Sequence, residues 1–543
     1  MIKEFKIVTL RQWHDLYLKI DVYALADVFE YYRDLTYQTY NLEAAHYIGL
    51  PALSWDAGLS FTKVKLENIS DVDMYMMFEK SKRGGISTIS GRYSKANNRY
   101  IPDYDPNEKN NYLYQLDCNS LYGYSMQQTL PTHNIKWCNI FDEKIIETYQ
   151  DSDEIGYMLE VDLDYPIELH NSHNDYPLAA EHLTINKIKK LCPNLYHKKN
   201  YILNINNLKY YIEEGLILKK IHKVISFYQS TWLASYINKN TVLRQNSKNL
   251  FEKDYYKLMN NSFYGKTMQN VRDYQNIKFC INEKQFTKAM NSPLFDNHVI
   301  ILKEDGLIIV KQKQKIIKLN KPIYLGCCIL ESSKLLMYQF HYDTMKTVYP
   351  NSKMLKTDTD SLLYSIETED LYADLKHNPI LQSRIEFSNY PKDHFLFNES
   401  RKKIPGLFQD ESTDGKFAII QEYVGLRAKS YSNNLFFPVD SSCKDKKKSK
   451  GVPSTHIQNR INFTDYKDCL FNKKALALGD DNNSNPKHID KIISFRSLNL
   501  VMYTIQQSKI TLSGNDDKRH ILENQIDTLA LGNYRIVNKK EHK

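Results

Sequence analysis

Two aspartates, each beside a strand-like run and far apart in the chain, constrain the fold most. Tyr112-Leu113-Tyr114-Gln115-Leu116 reads as a buried strand that runs straight into Asp117. Lys356-Thr357-Asp358-Thr359-Asp360-Ser361 is followed by the strand-like Leu362-Leu363-Tyr364. An Asp-Thr-Asp tripeptide alone fits a solvated turn better than a site. Two carboxylates set side by side in one sheet are different, because such a pair can bridge divalent ions. Hard oxygen donors, with few nitrogen or sulfur donors, favour Mg²⁺ over zinc.

A third segment, Lys257-Leu258-Met259-Asn260-Asn261-Ser262-Phe263-Tyr264-Gly265, adds a cation, an amide and a phenol. Positions 257, 261 and 264 fall at i, i+4 and i+7 and share one side of a helix. Lysine binds phosphate as a point charge without demanding planar geometry. Tyr264 offers a flat surface for a base, and Gly265 clears space for another backbone. The plain alternative is a core helix with a glycine C-cap.

The chain has 543 residues, too many for one hydrophobic core, so several subdomains are expected. Its net charge of +9 suits a polyanionic partner, though such mild basicity also occurs without one. None of the eight cysteines forms a Cys-x-x-Cys pair, which argues against a zinc ribbon or an iron–sulfur module. Their scatter suits a reducing compartment. The N-terminus lacks the apolar core of a signal peptide, and no run reaches the length of a membrane span. A soluble intracellular protein with no membrane partner is expected.

Periodicity predicts an amphipathic helix over 13–35, with Leu16, Ile20, Tyr23, Leu25 and Val28 as its apolar residues. A polar stretch from Ser94 to Asn111 reads as a linker or long loop. Residues 135–230 look like an inserted subdomain, and 243–269 are helical. Residues 298–325 are strand-rich, with a turn at Glu304-Asp305-Gly306. Leu330 to Tyr349 is helical, broken by Pro350. Ser441 to Pro453, with five lysines between Lys444 and Lys450, reads as a charged loop, solvated or phosphate-contacting. A nuclear signal is the weaker alternative for it. The last ninety residues read as mixed strand and helix, and no internal repeat is found.

The order Asp-x2-Ser-Leu-Tyr, Lys-x3-Asn-Ser-x-Tyr-Gly, Asp-Thr-Asp-Ser resembles the three polymerase motifs of family B DNA polymerases. The protein-primed subgroup of small phages, adenoviruses, linear organellar plasmids and self-replicating transposons is the most similar. The resemblance spans roughly residues 13–535. It implies an α+β right hand: an antiparallel palm sheet, helical fingers, a thumb and the remnant of an RNase H-like exonuclease domain. Its divisions would be 1–50, exonuclease remnant; 51–134, linker and palm with the first motif; and 135–230, an insertion of the kind that holds a terminal protein. Residues 231–272 would be fingers, 273–325 a second insertion, 326–435 palm with the third motif, and 436–543 thumb.

By resemblance, Asp117, Asp358 and Asp360 are the catalytic carboxylates. Asp117, Asp358 and the Cys118 carbonyl would hold two Mg²⁺ ions, with Mn²⁺ as a substitute, and Asp360 would support them. Backbone amides near Ser120 and Leu121 would meet the triphosphate, as would Arg244, Lys248 and Lys257 with Asn261. Tyr122 would exclude a 2′-hydroxyl, and Tyr264 would lie against the nascent base pair. Arg83, Gly84 and Gly85 stand where the family has Tyr-x-Gly-Gly, with Lys82 in place of the tyrosine. Together with Gly265 they would approach DNA. Lys429 and Tyr431 match a Lys-x-Tyr element at the primer end, where a cation on a phosphate fixes position.

The sequence departs from the family's pattern in four places. Gly123 stands where many members have proline, Lys356 stands where a tyrosine is common, and Lys82 is the third. The fourth departure is at the N-terminus. Tyr17 and Asp21 fit the third exonuclease motif, but the first two should lie upstream, and one aspartate cannot hold a hydrolytic two-metal site. The implied partners are primer-template DNA, deoxynucleoside triphosphates and a terminal-protein primer, for a polymerase without 3′–5′ proofreading. The rival reading is an inactive remnant that only binds nucleic acid or a terminal protein.

Overall fold

The computed structural model describes residues 5, 7–302, 306–413, 415–472, 488–498 and 501–536. One large sheet positions the acidic residues. Its strands are β1 (Ser87–Ile89), β2 (Tyr93–Lys95), β3 (Tyr112–Cys118), β4 (Lys353–Asp358), β5 (Ser361–Ile366), β6 (Phe408–Asp410), β7 (Ile419–Arg427), β8 (Ser430–Phe437) and β9 (Ser442–Ser449). The main path runs β1-β4-β5-β3-β7-β8-β9, with β6 also on β3 and β2 on β7, all antiparallel; a short tenth strand, Ile385–Glu386, pairs parallel with β6. β3 is apolar or aromatic at nearly every position and buried along its length, as a strand covered on both faces must be. Register then sets the acids. Ser361 opposes Asp117 across β5–β3, and Ser87 opposes Asp358 across β1–β4. The two aspartates therefore sit at the same end of the sheet.

Helices form a second body against it. They are α1 (Leu10–Tyr40), α2 (Leu50–Thr62), α3 (Leu121–Gln127), α4 (Ala234–Gln245), α5 (Leu250–Thr267) and α6 (Ile323–Gln339). Leu53, Ala57, Met259, Phe263, Tyr324 and Ile329 share one apolar core, separate from the core of the sheet. α2 and α5 approach closely because residue 58 is glycine: a Cβ there would fall 2.5 Å from the Phe263 ring. A four-stranded antiparallel sheet of Leu130–Trp137, Ile155–Asp164, Lys198–Asn204 and Ile217–Ser230 makes the insert. Gln275–Cys280, Phe295–Leu302 and Leu307–Lys313 form a separate three-stranded sheet. A third core joins Val424 and Leu426 of β7 to Ile457, Phe463 and Tyr466. No helix among the described residues is long and apolar enough to cross a membrane.

Several elements differ from the sequence reading. The helical stretch over 243–269 is two helices, α4 and α5, because Asn249 caps a new helix by accepting from the Glu252 amide at 2.9 Å. The helix expected from Leu330 begins at Ile323, then continues through a π-helical turn at Phe340–Met345 to Val348. α1 is longer than expected, and its apolar residues are not buried. Ile20, Tyr23, Leu25 and Val28 are all exposed, while Thr36 and Tyr40 at its C-terminal end pack on the other helices. Ser441 to Pro453 is not a loop but contains β9, paired residue for residue with β8 from Ser430↔Ser449 to Phe437↔Ser442. Glu304 and Asp305 of the expected turn lie outside the described residues.

Candidate active site

Asp117 ends β3, Asp358 ends β4, and Asp360 lies in the turn that leads into β5. That turn is tight. Thr359 adopts φ 72°, its amide donates to the Ile86 carbonyl at 2.7 Å, and the Cys118 amide donates to the Asp360 carbonyl at 2.8 Å. The turn and β3 are thus tied together by backbone bonds. Gly85 lies directly against it: a Cβ there would fall 2.4 Å from Thr359 Cγ2. At Gly84 and Gly265 an added Cβ would meet no atom within 4 Å, so both leave open space.

The acids do not share one electrostatic environment. Burial, then the neighbouring Asp360 and Glu411 carboxylates, push the Asp117 carboxyl up to about 7. Asp360 is raised by burial and by Asp358 and Glu411. For Asp358 burial acts upward, but Lys429 and Lys448 outweigh it and hold the carboxyl below its ordinary range. Lys429 Nζ is 2.7 Å from Asp358 Oδ1, and Lys448 Nζ is 2.7 Å from Oδ2.

Crowded, half-neutralised carboxylates in a buried setting fit a divalent cation, which would relieve the repulsion that raises Asp117. Among the described residues no three His, Cys, Asp or Glu side chains close on a single point.

The helical motif meets this end of the sheet through aromatic stacking. The Tyr122 and Tyr264 rings lie 4.5 Å apart at 11°. Burial, then the Asp360 carboxylate, raise the Tyr122 phenol. Ser120, at φ 47°, turns the chain from β3 into α3, so the amides of Leu121 and Tyr122 open that helix. Lys257 and Asn261 are exposed on α5, and Lys257 has no ion pair or hydrogen bond among the described residues. Arg244 is half-buried on α4 with its Nε unpartnered, and Lys248 is exposed in the α4–α5 connection.

Other candidates stand elsewhere. Arg83 turns away from open space. It is buried, stacks 3.7 Å over Tyr201, donates to the Ile202 carbonyl at 2.7 Å and lies 3.9 Å from Glu331. Lys334 completes this buried group, 3.0 Å from the same Glu331 oxygen. Arg83→Met is therefore expected to destabilise the fold by about 3 kcal/mol, because it strips a partner from a buried carboxylate. Urea unfolding would show it, and a variant of unchanged stability with weakened DNA binding would contradict that placement. Tyr17 and Asp21 are together on the exposed part of α1, where the Asp21 carboxylate raises the Tyr17 phenol. No contact joins them to Asp117 or Asp358 among the described residues.

Glu411 had no signal in the sequence motifs, Lys446 stood only within the lysine run read as a loop, and Lys356 only as a departure from the family's tyrosine. Glu411 follows β6, and its amide donates to the Gln115 carbonyl at 2.9 Å. Lys446 lies 2.7 Å from it. Lys356 is fully buried, its Nζ 3.4 Å from the Tyr431 ring centroid and without a hydrogen-bond partner. Burial brings its ammonium down to about 7.

The family of DNA polymerases described as type B, organellar and viral, matches residues 4–345. The chain belongs to that family. It is, as its family is, a DNA-directed DNA polymerase. No curated protein matches this polymerase. Among solved structures, phage phi29 DNA polymerase complexed with primer-template DNA and incoming nucleotide is similar, with a TM-score of 0.56 and 14% identity. That match covers 93% of this chain and 73% of the other. The orthorhombic crystal form of phi29 DNA polymerase matches with a TM-score of 0.52 and 13% identity, over 86% of this chain and 68% of that one. At such identity the likeness establishes the right-hand fold.

Proposed function

We propose that this polymerase adds deoxynucleotides, as a template directs, to a primer 3′-hydroxyl, releasing pyrophosphate by two-metal phosphoryl transfer. The observation that carries the reading is the meeting of Asp117 and Asp358 at one sheet end with Tyr122 stacked on Tyr264 above them. Asp117, Asp358 and the Cys118 carbonyl would hold the ions, and Asp360 would support them. When bound, Mg²⁺ or Mn²⁺ would neutralise charge on the attacking and leaving oxygens of an in-line displacement.

The chain's own side chains do the positioning, which carries much of the catalysis in phosphoryl transfer. Lys257, Asn261, Arg244 and Lys248 would draw in the triphosphate, whose phosphates would also meet the amides after Ser120 and Leu121. Tyr122 would wall off the sugar, and Tyr264 would lie under the new base pair. Gly84, Gly85 and Gly265 leave room for the nucleic acid, and Lys429 with Tyr431 would seat the primer end. Primer-template DNA and dNTPs are then the partners. A terminal protein held near the 135–230 insert is the primer this reading prefers.

We assign no 3′–5′ excision to the described residues, since among them no group of three acidic, His or Cys side chains gathers at Asp21, and hydrolysis on two metals needs several carboxylates. A primer with a mismatched 3′ end is expected to stay intact under Mg²⁺ without dNTPs. Shortening of that primer by the purified chain, retained in Asp358→Asn and lost in Asp21→Asn, would contradict this.

A further inference from the structure

β9 presents its lysines by strand alternation. Lys446 and Lys448 share the face toward the acids, reaching Glu411 and Asp358 respectively. On the other face, Lys447 donates to the Ile461 carbonyl at 2.6 Å and Asp445 accepts from the Phe463 amide at 3.1 Å. The strand is anchored by the full β8–β9 ladder and by Tyr466, whose hydroxyl donates to the Lys448 carbonyl at 3.1 Å. Lys448 opposes Tyr431 directly, 5.8 Å from its ring centroid, and the Lys450 amide donates to the Lys429 carbonyl at 2.9 Å. Lys429, in the turn between β7 and β8, and Lys448, on β9, are thus held side by side, one against each oxygen of Asp358.

Two ammonium groups set against one carboxylate leave a positive excess beside it. Both charges oppose a metal ion that approaches Asp358. Both side chains are partly exposed, and a lysine stem is flexible enough to move its charge to another anion. Resting on the polymerase reading above, we propose that Lys448 is a second primer-strand phosphate ligand beside Lys429. Without DNA the two serve as exchangeable counter-ions of Asp358. Metal binding to Asp358 and phosphate binding to Lys448 are then coupled, each freeing the group the other needs.

The test compares wild type, Lys448→Gln and Lys448→Arg in two equilibrium assays. The first is anisotropy of labelled primer-template in Ca²⁺ over a salt series. Lys448→Gln is expected to reduce the slope of log K against log salt by about 0.9, the contribution of one duplex phosphate contact. The second is Mn²⁺ binding to the DNA-free chain, read as free Mn²⁺ by electron paramagnetic resonance. There Lys448→Gln is expected to bind several-fold more tightly, because a competing charge is gone. Lys448→Arg should keep the wild-type salt slope, and circular dichroism of all three reports the fold. An unchanged salt slope in a folded Lys448→Gln, or Mn²⁺ affinity that is unchanged or falls, overturns the proposal. Failure of the wild type to bind primer-template would instead overturn the polymerase reading beneath it.

Discussion

Asp117→Asn and Asp358→Asn are each expected to lower primer extension by at least about 10³-fold, a loss of roughly 4 kcal/mol in transition-state stabilisation, while primer-template binding survives. Both substitutions keep shape and remove the charge that a hard cation requires. Their effects on stability should have opposite signs. Asp117 is held up to about 7 by burial and by Asp360 and Glu411, so its ionised form costs stability in the ligand-free chain. That cost is complete above about pH 7 and absent below pH 4, where the carboxyl is protonated whether folded or not. Asp117→Asn should therefore raise the unfolding midpoint at pH 8 and leave it unchanged at pH 4. Asp358 is stabilised as an anion by Lys429 and Lys448, so Asp358→Asn should lower the midpoint at pH 8. Activity-dead variants that shift stability in the same direction would contradict the electrostatic difference between the two sites.

The second large effect concerns the sugar. Tyr122→Ala should reduce discrimination against ribonucleotides by about 10²-fold, the scale of losing a well-packed wall around a small group. Tyr122 is fixed in place: its ring is stacked on Tyr264 at 4.5 Å and 11°, and its phenol lies near Asp360. Tyr122→Phe retains the ring and should retain most of the selectivity. Tyr264→Ala removes the support and should relax selectivity in part, besides weakening nucleotide binding. Single-turnover incorporation of one dNTP and its rNTP, compared as kcat/KM ratios, measures this. An unchanged ratio in Tyr122→Ala would place the selective wall elsewhere.

The parts of the site carried by local runs were legible in the sequence. β3 announces itself because Tyr112 to Leu116 must be buried, and its burial carries Asp117 to the sheet end. The helical face of Lys257, Asn261 and Tyr264 follows from spacing alone, and α5 bears it out as a helix. What could not be read depends on pairing between distant segments. Glu411 gains its place only because β6 lies on β3. β9 was obscured by its own composition, since five lysines in seven residues conceal the alternation that sends Lys446 and Lys448 one way and Lys447 the other. Arg83 shows the converse. Its place in a glycine-rich element suggests phosphate, yet Glu331, far along the chain, holds it in the interior. Periodicity identified α1 as a helix but could not say what covers it.

Single-nucleotide addition to a primed template by the purified chain with Mg²⁺ tests the central claim most directly, using four templates that differ only in the templating base. Each template is expected to select its complementary dNTP, EDTA to abolish the addition, and Asp358→Asn to bind the same DNA without extending it. Retained DNA binding with no addition by the wild type, whether the hydroxyl comes from a nucleic acid or a protein primer, would contradict it and leave a binding remnant.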